Sequence, residues 1–261
     1  MALLREDEVR TLLRPLLRSR TVLDPAGGPP VTRQLVLTRF GGRPVAEAGE
    51  RWPACSHCAA ELTFVAQVDN ARDALHSRLP VSFFTFFYCW NCHPWGRTDA
   101  DRGRWLVRGY SRLARPQVLT PTSGPVFAER FAAARLERSL PDGVGLELHS
   151  PELWRMVPGD SGSHEAWANW AIVDRVALHL TGERARQADL RNDGVAIGGY
   201  PMWVNGPDET PRCADCTLPM ELLLQIRPTS LTDAGWGDVA TLYLFMCRLH
   251  IERTGLRIQG T

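Results

Sequence analysis

The sequence predicts an α+β protein made of two mainly antiparallel β halves related by internal duplication and pseudo-two-fold symmetry, with a helical insertion between them. Three observations carry this. "ACSHC" at residues 54–58 returns as "RCADC" at 212–216. Short β-branched and aromatic runs separated by turn residues surround both. A stretch of helix-like composition lies in between.

In chain order, Leu3, Leu4, Val9, Leu12 and Leu13 recur at helical spacing until Pro15 interrupts, which predicts an amphipathic helix over 3–14. Its polar face mixes acid and base, unlike a membrane-surface helix. "DPAGGPP" (24–30) is a loop. Strands are predicted for 34–40, 61–68, 80–89 and 103–111. "VFAERFAAARLERSL" (126–140) and 164–187 read as helices, punctuated by "PDGVG" and "PGDSGS". The β pattern returns in "GVAIGGYPMWV", "MELLLQI", "ATLYLFMC" and "LRIQGT". The expected organisation is one domain over 1–261: a first repeat at about 34–111, a helical middle at about 112–193, and a second repeat at about 194–261.

The repeat extends well beyond the two Cys-x-x-Cys motifs. Gly41, Gly42 and Pro44 match Gly198, Gly199 and Pro201; Pro53, Cys55 and Cys58 match Pro211, Cys213 and Cys216 after one inserted residue. Gln67 follows Cys58 by 9 residues, and Gln225 follows Cys216 by 9. Cys89 and Cys247 each lie 22 residues beyond those glutamines, and Cys89-x-x-Cys92 aligns with Cys247-x-x-His250. All seven cysteines are thereby used, and histidine takes the eighth position.

Two sets of four follow: Cys55, Cys58, Cys89 and Cys92, and Cys213, Cys216, Cys247 and His250. Structural zinc takes four thiolate or imidazole ligands in a tetrahedron, commonly as two close-spaced pairs. The first pair precedes a strand and the second follows one, so antiparallel pairing would bring the pairs together at a hairpin end. Two structural zinc ions per chain are expected. The competing chemistries are a redox dithiol, which wants a helix N-terminus, and disulfides, which want an oxidising compartment. Four ligands per set leave no open position for catalysis. His57 and His93 read as surface residues of the knuckles. Gln67 and Gln225 read as buried strand amides satisfying backbone groups.

The composition narrows the function. The net charge is +1 and every one of the 30 basic residues is arginine, so no global basic field points to nucleic acid. No apolar run reaches the roughly 20 residues needed to span a bilayer. The N-terminus has no secretory signal pattern, and a reducing cytoplasm is the expected location. Trp90, Trp95, Trp203 and Trp236 fall in or near loops by the knuckles and are the candidate partner-binding residues, lining a groove between the halves. The expected function is non-catalytic binding of another protein. The rival is an enzyme in the same cleft, with Asp69, Asp238 and His76 as its candidates. A zinc protein that binds nucleic acid is a third reading, disfavoured by charge.

At "RFGGRP", "WPACSHCAAELTFVAQVD", "FFYCWNC", "GGYPMWV", "RCADC" and "GWGDVATLYLFMC" the chain resembles the YwqG-like bacterial proteins of unknown function. In its cysteine-rich form it also resembles the eukaryotic programmed cell death protein 2 family. The resemblance covers about 34–95 and 194–250 and leaves the middle unmatched. It implies a duplicated β-rich fold. In the eukaryotic branch it implies a chaperone or adaptor for a ribosomal protein, and among bacterial relatives an immunity role against toxins. It supplies no catalytic residues.

Overall fold

The computed structural model describes residues 3–26, 28, 37–70, 79–96, 101–124, 126–157, 164–182, 194–227, 229, 231–237 and 239–260. Among the described residues, twelve strands and four α-helices run in the order α1 (Glu6–Leu13), β1 (Arg18–Pro25), β2 (Arg39–Phe40), β3 (Val45–Glu47), β4 (Thr63–Asp69), β5 (Phe83–Tyr88), β6 (Trp105–Tyr110), β7 (Pro116–Val118), β8 (Arg130–Ser139), α2 (Gly145–His149), α3 (Pro151–Met156), α4 (His164–Thr181), β9 (Val195–Gly198), β10 (Glu221–Ile226), β11 (Thr241–Met246) and β12 (Thr254–Gln259). Among the described residues, no helix is long and apolar enough to cross a membrane.

Ten strands form one sheet in the order β12-β11-β10-β9-β1-β8-β2-β4-β5-β6, and β3 pairs with β7 separately. The named pairings are all antiparallel. A four-strand run thus lies on each side of the central β1–β8 pair. The strand from the chain's start, β1, joins β9, whereas β8 joins β2. Local features recur on the two sides. Register shifts fall between Phe64 and Ala66 in β4 and between Leu222 and Leu224 in β10. Isolated bridges join Ala54 to Glu61 and Arg212 to Pro219. Gly41–Gly42 and Gly198–Gly199 all have positive φ; a Cβ at Gly41 would collide with the Ala128 carbonyl.

β4, β5, β10 and β11 are almost wholly buried on both faces, which explains their continuous apolar runs rather than an alternating pattern. One face enters the main core, where Phe40, Phe84 and Phe86 meet Ile197, Leu242 and Leu244. The opposite face builds two smaller clusters beneath the cysteines, Leu62, Phe64 and Phe87 on one side and Met220, Leu222 and Phe245 on the other. The expected amide roles hold. Gln67 Oε1 accepts the Val45 N–H at 2.9 Å, and Gln225 Oε1 accepts the Met202 N–H at 2.9 Å.

The middle of the chain departs from the sequence reading. Residues 130–139, read as helix, form β8, the longest strand. The eight pairs from Arg18↔Ser139 to Pro25↔Ala132 bind it to β1. These pairings and its partner β2 supply the hydrogen bonds that its alanines would otherwise have made within a helix, so tertiary pairing overrides propensity. β1 was not anticipated, because "RSRTVLDP" carries only a short apolar stretch. The helical insertion is real but shorter: α2, α3 and α4 lie between β8 and β9. Of the strand expected at 34–40, residues 34–36 lie outside the described residues, as do 183–187 of the expected helix.

α1 keeps the predicted register. Glu6, Asp7 and Glu8 occupy its first turn, Pro15 follows in a 3₁₀ turn, and Val9 and Leu13 pack on Trp170, Val173 and Val176 of α4.

Candidate metal centres

Each centre is built from a tight turn facing the end of a neighbouring strand. At the first, the Ala59 N–H donates to the Cys55 carbonyl at 3.0 Å and the Cys55 N–H to the Ala60 carbonyl at 2.8 Å. At the second, Thr217 donates to the Cys213 carbonyl at 2.9 Å, and Cys213 to the Leu218 carbonyl at 2.9 Å. Both turns close through a left-handed residue, Ala59 at φ 59° and Thr217 at φ 60°. The pairs Thr63↔Tyr88 and Glu221↔Met246 then set each turn beside the strand end that carries the other two ligands. The predicted hairpin geometry is the observed one.

The distances suit a tetrahedral ion. Cys55 Sγ lies 3.8 Å from Cys92 Sγ, and Cys58 Sγ 3.6 Å from Cys89 Sγ. Cys216 Sγ is 3.6 Å from Cys247 Sγ, while His250 Nδ1 is 3.5 Å from Cys213 Sγ and 3.7 Å from Cys247 Sγ. Within each set the four ligand atoms all lie within 4.8 Å of one another. Metal–sulfur bonds of about 2.3 Å give tetrahedral edges of about 3.8 Å, and an imidazole nitrogen at about 2.0 Å gives sulfur–nitrogen edges of about 3.5 Å. Disulfides would need about 2.05 Å, and the cysteines are free. Cys55, Cys89, Cys213 and Cys247 form the buried floors, with Cys58 exposed and Cys92 and Cys216 half-buried at the tips. His57 and His93 are exposed and outside both sets.

Electrostatics favour a thiolate at one cysteine of each turn, Cys58 in the first and Cys213 in the second, whereas Cys216 is shifted upward. The Ala60 backbone amide, aided by neighbouring thiols, brings Cys58 down to about 7. At Cys213 burial acts upward, but the Cys216 and Asp215 amides and the Cys247 and His250 side chains outweigh it and bring the thiol to about 6. Burial pushes Cys89 up to about 12. In the protein alone, four such sulfurs cannot all ionise together. A divalent cation supplies the charge that lets them.

The tryptophans require a correction. Trp203 is 1 % exposed, stacked on Phe245 and against Tyr243 beneath the second centre. Trp236 is buried in the main core, where it meets half-buried Trp90 with ring centroids 5.8 Å apart. Trp203 and Trp236 are core residues that cannot meet a partner. Their loops fold inward because large rings gain most by leaving water. Of the four, Trp95 alone is well exposed, at 43 %. Asp69 ends β4 in a buried position, and Asp238 and His76 lie outside the described residues.

A cleft of about 470 Å³ lies between the sheet's edge strands, β6 and β12; Arg212 and Ala214 of the second knuckle line it, as does Gly103, whose carbonyl accepts the Ser56 N–H of the first knuckle at 2.9 Å. Arg102, Arg212, Arg253 and Arg257 line it. Sequence reasoning missed these residues, because no local motif marks arginines that only sheet curvature brings together.

Fold and site together define a large antiparallel β protein with two four-donor centres capable of holding metal ions. Residues 38–253, which include all eight ligands, match the family described as a domain of unknown function (DUF1963), and the chain belongs to it. This agrees with the YwqG-like resemblance. No curated protein matches the chain.

Proposed function

We propose that the protein is a non-catalytic binding module for another protein, of the chaperone, adaptor or immunity type, stabilised by two structural zinc ions. The observation that carries this is the saturated donor set at each centre: four ligands at tetrahedral spacing, holding the hairpin ends that border the cleft. Thiolate-rich tetrahedral sites select zinc among the common divalent ions, and a closed shell leaves no position for substrate. The proposed origin is internal duplication. It is supported by the matching strand runs, the paired register shifts and the equivalent left-handed turns. The cysteine-bearing motifs that resemble the programmed cell death protein 2 family support a place for the chain beside it, and that resemblance supports the protein-binding reading. Reduced cysteines suit the cytoplasm.

Elemental analysis of protein purified without added metal tests the first part, with two zinc ions per chain expected and none rejecting it. An affinity pull-down from the native host, with and without prior chelation, tests the second. A discrete partner recovered only by the zinc-loaded protein supports the module. Turnover of a small molecule, or no partner under either condition, rejects it.

A further inference from the structure

We infer that the first metal centre is a site of reversible oxidation by hydrogen peroxide, entered at Cys58, and that the second centre is its oxidation-resistant counterpart. The inference rests on the zinc reading and adds a regulation to it. Exposure is the first reason. Cys58 is the exposed ligand of its tetrad, whereas Cys55 and Cys89 are each 2 % exposed and Cys92 is half-buried. In the second tetrad the equivalent of Cys58 is Cys216, which is half-buried, and Cys213 and Cys247 are buried. Oxidation favours a sulfur that meets solvent and has a second sulfur beside it to resolve the product. Cys58 satisfies both conditions, with Cys89 Sγ 3.6 Å away.

The turns are the second reason. Asp215, next to Cys216, accepts two hydrogen bonds of 2.6 and 3.1 Å from Arg253, which immediately precedes β12. The second turn is thereby tied to the strand beside it. The equivalent position in the first turn is His57, which is exposed and has no ion pair among the described residues. Ligand identity is the third reason. The first tetrad divides into two close sulfur pairs, Cys58 with Cys89 at 3.6 Å and Cys55 with Cys92 at 3.8 Å. The second holds three sulfurs and His250, and an imidazole cannot be bridged. Only the first tetrad can close completely into disulfides.

The chemistry balances with peroxide as the oxidant. The Cys58 thiolate attacks one peroxide oxygen and the O–O bond breaks. The other oxygen leaves as hydroxide and takes a proton, and Cys58 becomes a sulfenic acid. The Cys89 thiolate then attacks the Cys58 sulfur, the S–O bond breaks, and a second hydroxide leaves and takes a proton. Each sulfur has given one electron to the peroxide, and two waters have formed. Two of the four ligands are lost, and the hold on the ion with them. A second peroxide joins Cys55 to Cys92 by the same steps. The Ser56 N–H of this turn donates to Gly103 at the wall of the cleft, so oxidation acts on one end of the cleft and spares the other.

The test treats the zinc-loaded full chain, freed of reductant, with excess hydrogen peroxide. A chromophoric chelator follows zinc against an untreated baseline, and samples alkylated in denaturant are mapped for disulfides by mass spectrometry. The first ion should leave at least about tenfold faster than the second. Protein that has lost one ion should carry disulfides from Cys58 to Cys89 and from Cys55 to Cys92, and dithiothreitol with added zinc should restore it. Cys58→His gives the first centre the donor types of the second and removes the exposed sulfur, so the first release should slow to within about threefold of the second. If that variant does not hold two ions, the release order and the disulfide map of the unaltered protein decide the matter. Equal release rates, a first disulfide between Cys216 and Cys247, or an unchanged first release from a two-zinc Cys58→His variant overturns the inference and leaves the zinc reading standing. Untreated protein without zinc removes that reading, and this inference with it.

Discussion

Replacing Trp203 with alanine separates a core residue from a contact residue. The indole is 1 % exposed, with its ring 4.6 Å from Tyr243 and 6.0 Å from Phe245, in the cluster that includes Cys213 and Cys247. Burying such a ring and then deleting it costs about 3–5 kcal/mol. The upper part of that range applies, because the β10–β11 ladder and the metal tetrad hold the cavity walls apart. At about 2–4 °C per kcal/mol for a chain of this size, the upper part of that range, about 4–5 kcal/mol, should lower the melting temperature by roughly 8–20 °C. Among the described residues the indole N–H has no hydrogen-bond partner, and the backbone N–H to Asp142 at 2.9 Å survives the change, so the loss is one of packing. Trp203→Phe should cost less than half as much. Circular-dichroism melting gives the stability. Zinc release to a chromophoric chelator gives the site, with one ion per chain released more readily than in the unaltered protein. A melting temperature within about 2 °C of the unaltered protein would refute the packing argument.

His250→Cys should retain both ions, because thiolate also suits the position, whereas His250→Ala should weaken one of the two; elemental analysis after dialysis reads the difference. Gln225→Leu removes the buried acceptor of the Met202 N–H and should cost about 1–3 kcal/mol in urea unfolding. Glu61 accepts the Thr122, Ser123 and Gly124 N–H groups; led by Ser123, they hold its carboxyl at about 2, below the ordinary 4.5. A depressed folded pKa means that the native state binds fewer protons, so this stabilisation is complete above 4.5 and disappears as pH falls towards 2. The melting difference between the unaltered protein and Glu61→Gln should therefore be constant from pH 5 to 7 and vanish near pH 2.

The eight candidate ligands were legible because metal chemistry constrains residue type and spacing locally: each Cys-x-x-Cys or Cys-x-x-His pair is one turn, and each turn abuts a strand visible from its apolar run. Gln67 and Gln225 were legible for a related reason, since a polar residue inside a buried strand needs a partner. β8 was not. Its alanines favour helix, and only the strands on either side, β1 from the chain's start and β2, make it a central strand. The inward turn of Trp203 and Trp236 was also hidden, because loop position in sequence does not say which way a loop folds. The arginine cleft is the clearest case. Arg102 and Arg257 are 155 positions apart, and they line one cleft only because the sheet curves until its first and last strands face each other. Turn chemistry acts over a few residues and can be read along the chain; sheet closure is a sum over all ten strands, and tertiary structure alone decides it.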